Sequence, residues 1–306
     1  MTETSLHNPA SDIIPESWIM RATPRAMRPY MMLMRLDRPN GAWLLMMPCW
    51  WSVTLASGGA WPDLKILALF ALGAFIMRGA GSVINDIVDR DFDGQVARTA
   101  NRPIPSGLVS VKSAIIFACL LCLLGLVILI QFNAFAIGVG ALSLVTVLIY
   151  PFMKRYTYWP QLFLGISINW GALVGWAAIR GELSLEPALL YLGGVFWTLG
   201  YDTMYGHQDK VDDLRVGIKS AALRLGSATW AWMVFFYGTA VIFLGAVGWL
   251  AGLNVYFYPA LLVAALHLVW QVATLDIDDP NNCLARFSSN RDFGLLVFVA
   301  ILIGLL

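Results

Sequence analysis

Charged side chains are absent from residues 41–62, where small polar groups alone interrupt the apolar ones over 22 positions. At about 1.5 Å per residue, a helix of that length crosses a hydrocarbon core of roughly 30 Å. Comparable apolar runs lie near 66–84, 113–131, 133–150, 162–179, 187–203, 230–251, 253–273 and 293–306. The pattern predicts an all-α, multi-pass membrane protein with nine transmembrane helices. Arg78 interrupts the second run. Gln131 and Asn133 divide the third from the fourth, which therefore read as a tight helical hairpin. Residues 1–34 read as a tail and 35–306 as a single transmembrane domain.

Composition agrees with the pattern. The chain has 306 residues, 59% hydrophobic and 13% charged, whereas a soluble domain averages about one quarter charged. A soluble globule could not hide that much apolar surface, and a disordered chain or a secreted disulfide scaffold would not contain it. With 20 Lys and Arg against 19 Asp and Glu, no nucleic-acid partner is implied; the partner of the bulk of the chain is membrane lipid. Cys119 and Cys122 form a C-x-x-C with no His or second Cys pair nearby, and read as packing residues of a membrane helix.

Orientation follows from the basic residues. The tail to Arg38 holds five, Arg78 to Lys112 five, 154–155 two, 210–224 four and 286–291 two; the intervening loops hold Lys65 and Arg180. By the positive-inside rule the N-terminus and these alternate loops are expected to be cytoplasmic. The first 26 residues carry Glu3, Asp12 and Glu16, unlike an acid-poor mitochondrial presequence, which leads to the expectation of a bacterial inner membrane.

The carboxylates gather in two places. Four of the 19 lie in N85-D-I-V-D-R-D-F-D93 and four in Y201-D-T-M-Y-G-H-Q-D-K-V-D-D213, each following an even-numbered span and so facing the same side. At about 100° per residue, Asn85, Asp89 and Asp93 fall near 0°, 40° and 80°, with Asp86 near 100° and Asp91 pointing away near 240°. On a continuous helix with the same spacing, Asp202, Tyr205, Asp209 and Asp213 fall at roughly 0°, −60°, −20° and +20°, with His207 off the stripe at about 140°. Two stacked carboxylate faces call for a cation, and hard oxygen ligands without Cys or His select Mg²⁺. Arg98 follows the first stripe, Lys219 the second, and Y150-P-F-M-K154-R155 lies between them. Basic groups beside a metal site fit a phosphate-bearing ligand.

At these residues the sequence resembles the UbiA-type membrane aromatic prenyltransferases. The stretches that carry the resemblance are R35-L-D-R-P-N-G-A-W-L-L, M77-R-G-A-G-S-V-I-N-D-I-V-D-R-D-F-D-G-Q-V-A-R-T-A-N-R-P-I-P-S-G, Y150-P-F-M-K-R-Y-T-Y-W-P-Q and Y201-D-T-M-Y-G-H-Q-D-K-V-D-D-L-R-V-G-I-K-S. The Y-P-F-M-K-R and Y-D-T-x-Y segments point to the branch that acts on 4-hydroxybenzoate in ubiquinone biosynthesis. Asn40 stands where that branch often has an apolar residue, and G206-H-Q-D-K-V departs from many bacterial members and is similar to mitochondrial and some bacterial ones.

The resemblance implies nine helices around a central cavity, and transfer of a polyprenyl group from polyprenyl diphosphate to the ring carbon ortho to the hydroxyl of 4-hydroxybenzoate. It also implies roles for residues. Asn85, Asp89 and Asp93 match the first metal motif and Asp209 and Asp213 the second, with Asp202 and Tyr205 beside it. Arg98, Lys154 and Lys219 become diphosphate-binding candidates, with Tyr150 in the same substrate-binding segment. Arg90 and Arg155 become candidates for the carboxylate of the aromatic acid.

Overall fold

The computed structural model describes residues 13–14, 17–96 and 99–306, with the side chain of Val216 excepted. Fifteen α-helices are described: α1 Trp18–Ala22, α2 Arg28–Leu33, α3 Asn40–Ala56, α4 Leu64–Asp93, α5 Val111–Leu129, α6 Ala134–Tyr156, α7 Pro160–Ile168, α8 Gly171–Arg180, α9 Leu185–His207, α10 Lys210–Val216, α11 Ala221–Leu225, α12 Thr229–Leu250, α13 Phe257–Ala273, α14 Pro280–Ser288 and α15 Asn290–Leu305. No strand occurs among the described residues. Every expected span lies largely on helix. Among the described residues, six segments have the length and apolarity to cross a membrane: Leu64–Asp93, Val111–Leu129, Ala134–Tyr156, Pro160–Arg180, Ala221–Leu250 and Pro280–Leu305.

The chain divides into two units, one of residues 1–43 and 72–128, the other of 44–71 and 129–306. In the first, Leu33, Ala80, Val83, Ile104, Ala114, Ala118 and Leu121 form a buried core, with Tyr30 set edge-on against Phe117 at 5.0 Å. Ala114 and Ala118 are one turn apart, so small side chains line the inner face of α5. A Cβ on Gly125 would come 2.2 Å from Met77 Sδ, which shows how closely α5 approaches α4. The outer face of α5 exposes Leu120, Leu123, Leu124 and Val127, apolar surface that suits lipid rather than water.

In the second unit α9 is the hub, with thirteen of its 23 residues buried. Apolar packing in lipid rewards close backbone approach, and glycine permits it. A Cβ on Gly200 would meet the Tyr237 ring of α12 at 2.2 Å, and one on Gly194 would meet Asn169 Oδ1 at 2.2 Å. Gly171 and Gly175 act likewise on α8, where Ser52 of α3 donates to the Ala172 carbonyl. Two polar pairs lie inside the bundle: Trp197 Nε1 donates to Asn290 Oδ1 at 2.8 Å and Tyr237 OH to Gln271 Oε1 at 3.0 Å.

The fifth expected span, 162–179, is not one continuous helix. The chain breaks at Asn169 and Trp170 between α7 and α8. Asn169 Nδ2 donates to the Gly165 carbonyl and to Thr198 Oγ1 at 2.9 and 2.8 Å. Its amide thus engages a carbonyl of its own helix, the local competition that interrupts helical bonding. Neighbouring helices supply partners for the loosened segment, the condition on which membrane helices tolerate a break.

The Tyr237 ring is pinned by its hydrogen bond and cannot yield to a new methyl group. Gly200→Ala is expected to cost about 1–3 kcal/mol, whereas Gly238→Ala, whose Cβ would meet nothing within 4 Å, should leave thermal stability unchanged or raised. Melting temperatures of the two variants in detergent check the contrast.

Candidate active site

The first acidic segment is the end of α4. Asp86, Asp89 and Asp93 are buried, while Arg90 and Asp91 are exposed and pair with each other at 3.5 Å. The face drawn from helical spacing is therefore present, with Asp91 on the opposite side as expected and Asn85 half-buried. Arg90 does not join that face; its guanidinium also donates to the Ile87 carbonyl. Thr99 Oγ1 closes the helix by donating to the Asp93 carbonyl at 2.8 Å. Arg98 lies outside the described residues.

Two arginines reach the buried face that spacing along α4 alone did not assign. Arg35 follows α2, whose end closes with Leu36 N–H on the Met31 carbonyl and Arg35 N–H on the Met32 carbonyl. That is the Schellman arrangement, which places its penultimate residue in the left-handed region and usually takes glycine there. Arg35 occupies the position at φ 59°, the sole described non-glycine residue with positive φ, at a cost of about 1–2 kcal/mol. Its Nη2 donates to Asp86 Oδ1 at 2.6 Å. Arg102 Nη1 donates to the same oxygen at 3.3 Å and to Asp93 Oδ2 at 2.9 Å. The signals in the sequence were the guanidiniums of R35-L-D-R-P and N-R102-P-I-P, both within the stretches that carry the family resemblance.

In the second segment the continuous stripe is corrected. α9 stops at His207 and α10 starts at Lys210, because the backbone tightens to i→i+3 bonds: Gln208 N–H to the Tyr205 carbonyl and Asp209 N–H to the Gly206 carbonyl. Asp202 and Tyr205 belong to α9, with Asp209 at the head of α10 and Asp213 in its first turn. Asp213 N–H still bonds the Asp209 carbonyl at 2.8 Å, so those two remain one turn apart. Tyr205 lies against Phe287 of α14, ring centres 4.6 Å apart, at the foot of a buried column of Trp51, Phe293, Trp197 and Tyr201.

Two expected basic residues come together here. After Gly217 ends α10 in the left-handed region, Lys219 N–H donates to the Lys154 carbonyl at 2.9 Å and Lys219 Nζ to the Tyr156 carbonyl at 3.2 Å. An ammonium at the end of α6 is favoured by that helix's dipole. Tyr150 is half-buried one turn earlier, and Arg155 lies 5.9 Å over the Phe152 ring. Lys210 Nζ bonds Asp278 Oδ1 at 2.5 Å and the Ile277 carbonyl at 2.8 Å, fixing α10 to the loop before α14; that contact holds the Asp278 carboxyl below its usual range.

His207 is 3% exposed and its Nε2 lies 2.9 Å from Thr229 Oγ1 of α12. It is a packing group rather than a base open to substrate. Burial, reinforced by Lys210, pushes its pKa down to about 4.

Among the described residues no three His, Cys, Asp or Glu side chains converge as a metal cage. The carboxylates of both acidic segments are hard oxygen donors, the class that Mg²⁺ takes; it binds one or two carboxylates and completes its shell with water and phosphate.

The sequence profile described as the UbiA prenyltransferase family matches residues 45–302. The chain belongs to the UbiA family. Both acidic segments lie inside the matched range. Among curated relatives, it is 50% identical over 283 residues to the mitochondrial 4-hydroxybenzoate polyprenyltransferase of Drosophila melanogaster, covering 92% of this chain and 72% of that one. The human protein of the same name is 48% identical over 291 residues, covering 94% and 78%. Among solved structures, a UbiA homologue from Aeropyrum pernix K1 superposes with TM-score 0.68 at 25% identity, covering 86% of this chain and 96% of that one. A UbiA homologue from Archaeoglobus fulgidus bound to GPP and Mg²⁺ gives TM-score 0.67 at 17% identity, covering 89% and 99%.

One expectation is overturned. The fly, Arabidopsis thaliana and human relatives are all named mitochondrial, which points to a mitochondrial membrane rather than a bacterial inner membrane with a cytoplasmic N-terminus. The bacterial expectation rests on acidic residues in the first 26 positions. The relatives are longer than this chain, so those positions carry no weight on compartment.

The folded pKa of His207 lies below the unfolded value near 6.5, so the fold favours the neutral ring. As pH falls from about 6.5 to 4, the unfolded chain takes up the proton first and stability drops. His207→Gln should show a flatter dependence of melting temperature on pH across that window; parallel curves would contradict the assignment.

Proposed function

We propose that the chain is a Mg²⁺-dependent 4-hydroxybenzoate polyprenyltransferase of ubiquinone biosynthesis. The observation that carries the reading is identity of about one half with relatives of that name over 92% or more of the chain. The metal is supported by the A. fulgidus homologue bound to GPP and Mg²⁺ and by the all-oxygen donors of both acidic segments. The likeness to solved UbiA homologues and the helices on every expected span support nine crossings around a central cavity, with residues 35–306 as one domain.

In this reading Asn85, Asp89 and Asp93 are the metal ligands of the first motif, and Asp209 and Asp213 those of the second. Bound Mg²⁺ supplies positive charge that makes the diphosphate a better leaving group. Arg98, Lys154 and Lys219 hold diphosphate oxygens, Tyr150 borders them, and Asp202 and Tyr205 flank the second motif. Arg155 and Arg90 are the candidates for the carboxylate of the acceptor, with Arg90 paired to Asp91 on the exposed side of α4. The C–O bond of the polyprenyl diphosphate breaks and a C–C bond forms at the ring carbon ortho to the hydroxyl. The ring proton leaves, and the products are 3-polyprenyl-4-hydroxybenzoate and diphosphate. Aromatic and apolar walls keep water from the allylic centre while its positive charge develops.

The test uses the purified chain in liposomes with geranyl diphosphate, Mg²⁺ and radiolabelled 4-hydroxybenzoate. Label should enter a lipid-extractable product, EDTA should abolish transfer, and Asp89→Ala and Asp209→Ala should each lower it by at least about a hundredfold. Full activity in both variants would refute the metal assignment, and diphosphate release without labelled product would refute the acceptor.

A further inference from the structure

Asp86 is the second residue of the first acidic motif, and the mechanism above gives it nothing to do. It is nevertheless the most enclosed carboxylate of the segment, at 0% exposure. Its Oδ1 accepts from Arg35 and from Arg102, and Arg102 uses the same Nη1 to reach Asp93. Asp86 and Asp93 therefore compete for one guanidinium. Arg35 takes a strained backbone position next to this arrangement, and strain of that kind persists where surrounding structure demands it.

A guanidinium set against a carboxylate opposes the binding of any second cation there, since the negative charge is already partly neutralised. We propose that Asp86 is a positioning residue: by sharing Arg102 with Asp93, and by engaging Arg35, it draws part of the Arg102 charge off Asp93 and so sets how tightly Asp93 holds a divalent cation. Asp86 is not itself a ligand. Asp86 Oδ2, which has no hydrogen-bond partner among the described residues, is the atom that the opposite reading would place on the metal. The proposal rests on the assignment of a metal to the first motif.

The experiment measures Mn²⁺ affinity by electron paramagnetic resonance on the full chain in detergent, with melting temperatures alongside. Asp86→Asn removes the carboxylate that shares Arg102 Nη1 with Asp93 and should weaken Mn²⁺ binding by about tenfold, the size expected of a group that orients a ligand. Arg102→Gln alone should tighten it severalfold, and requires no folded Asp86 variant. The double variant Asp86→Asn with Arg102→Gln, in which the lost charges cancel, should return to within about threefold of wild type. A double variant as weak as Asp86→Asn alone would make Asp86 a ligand and overturn the proposal, as would unchanged affinity in Asp86→Asn or weaker affinity in Arg102→Gln. If Asp89→Ala and Asp93→Ala both bind Mn²⁺ as wild type does, the metal assignment itself has failed, whatever the Asp86 variants show, and the proposal falls with it.

Discussion

A carboxylate with no exposure at the end of an apolar helix needs a partner for its charge, since taking an isolated charge out of water costs several kcal/mol even after relaxation. Asp86 is in that position, and much of the first unit is arranged around its answer. The chain after α2 turns through a left-handed arginine so that Arg35 arrives at Oδ1. The segment after α4 folds back through Thr99 so that Arg102 arrives at the same atom. Both arginines are long enough to bring charge to a helix end while their own backbones stay in turns. One guanidinium then links Asp86 to Asp93, joining a charge-balancing device to a carboxylate of the candidate metal face.

The second unit solves its problem differently. Its hub helix α9 gains close neighbours through glycines, and its charged end passes through a loosened turn into the short helix α10. There Lys210 on Asp278 and on the Ile277 carbonyl ties α10 to the loop before α14. The candidate metal ligands Asp209 and Asp213 thus sit at the cap and first turn of a short separate helix, whereas Asp89 and Asp93 sit on the last turns of the 30-residue α4.

What could be read from the sequence followed from periodicity. Absence of charge marked the helices, and helical spacing alone put Asp91 opposite Asp89. What could not be read were the places where a helix fails to continue. Asn169 breaks the fifth span by bonding a carbonyl of its own helix, and Gly206–Asp209 tighten to i→i+3 bonds, so a second stripe drawn from spacing crosses a break. Arg90, a candidate for the carboxylate of the aromatic acid, lies among the acids in sequence and on the exposed side of α4 in the fold. Arg35 and Arg102 are present in the motifs, but their convergence on Asp86 depends on two turns that no wheel represents. Compartment was misread from the acidic residues among the chain's first positions, and the mitochondrial relatives correct it.

The division of labour along α4 is the centre of this account: Asp86 for the arginines, Asp89 and Asp93 for the cation. It is tested most directly by anomalous diffraction at the manganese edge from crystals grown with Mn²⁺ and diphosphate. An anomalous peak is expected about 2.0–2.3 Å from oxygens of Asp89 or Asp93, with Arg35 still on Asp86 and no peak at Asp86. A manganese ion bound to Asp86, with Arg35 displaced, would contradict it.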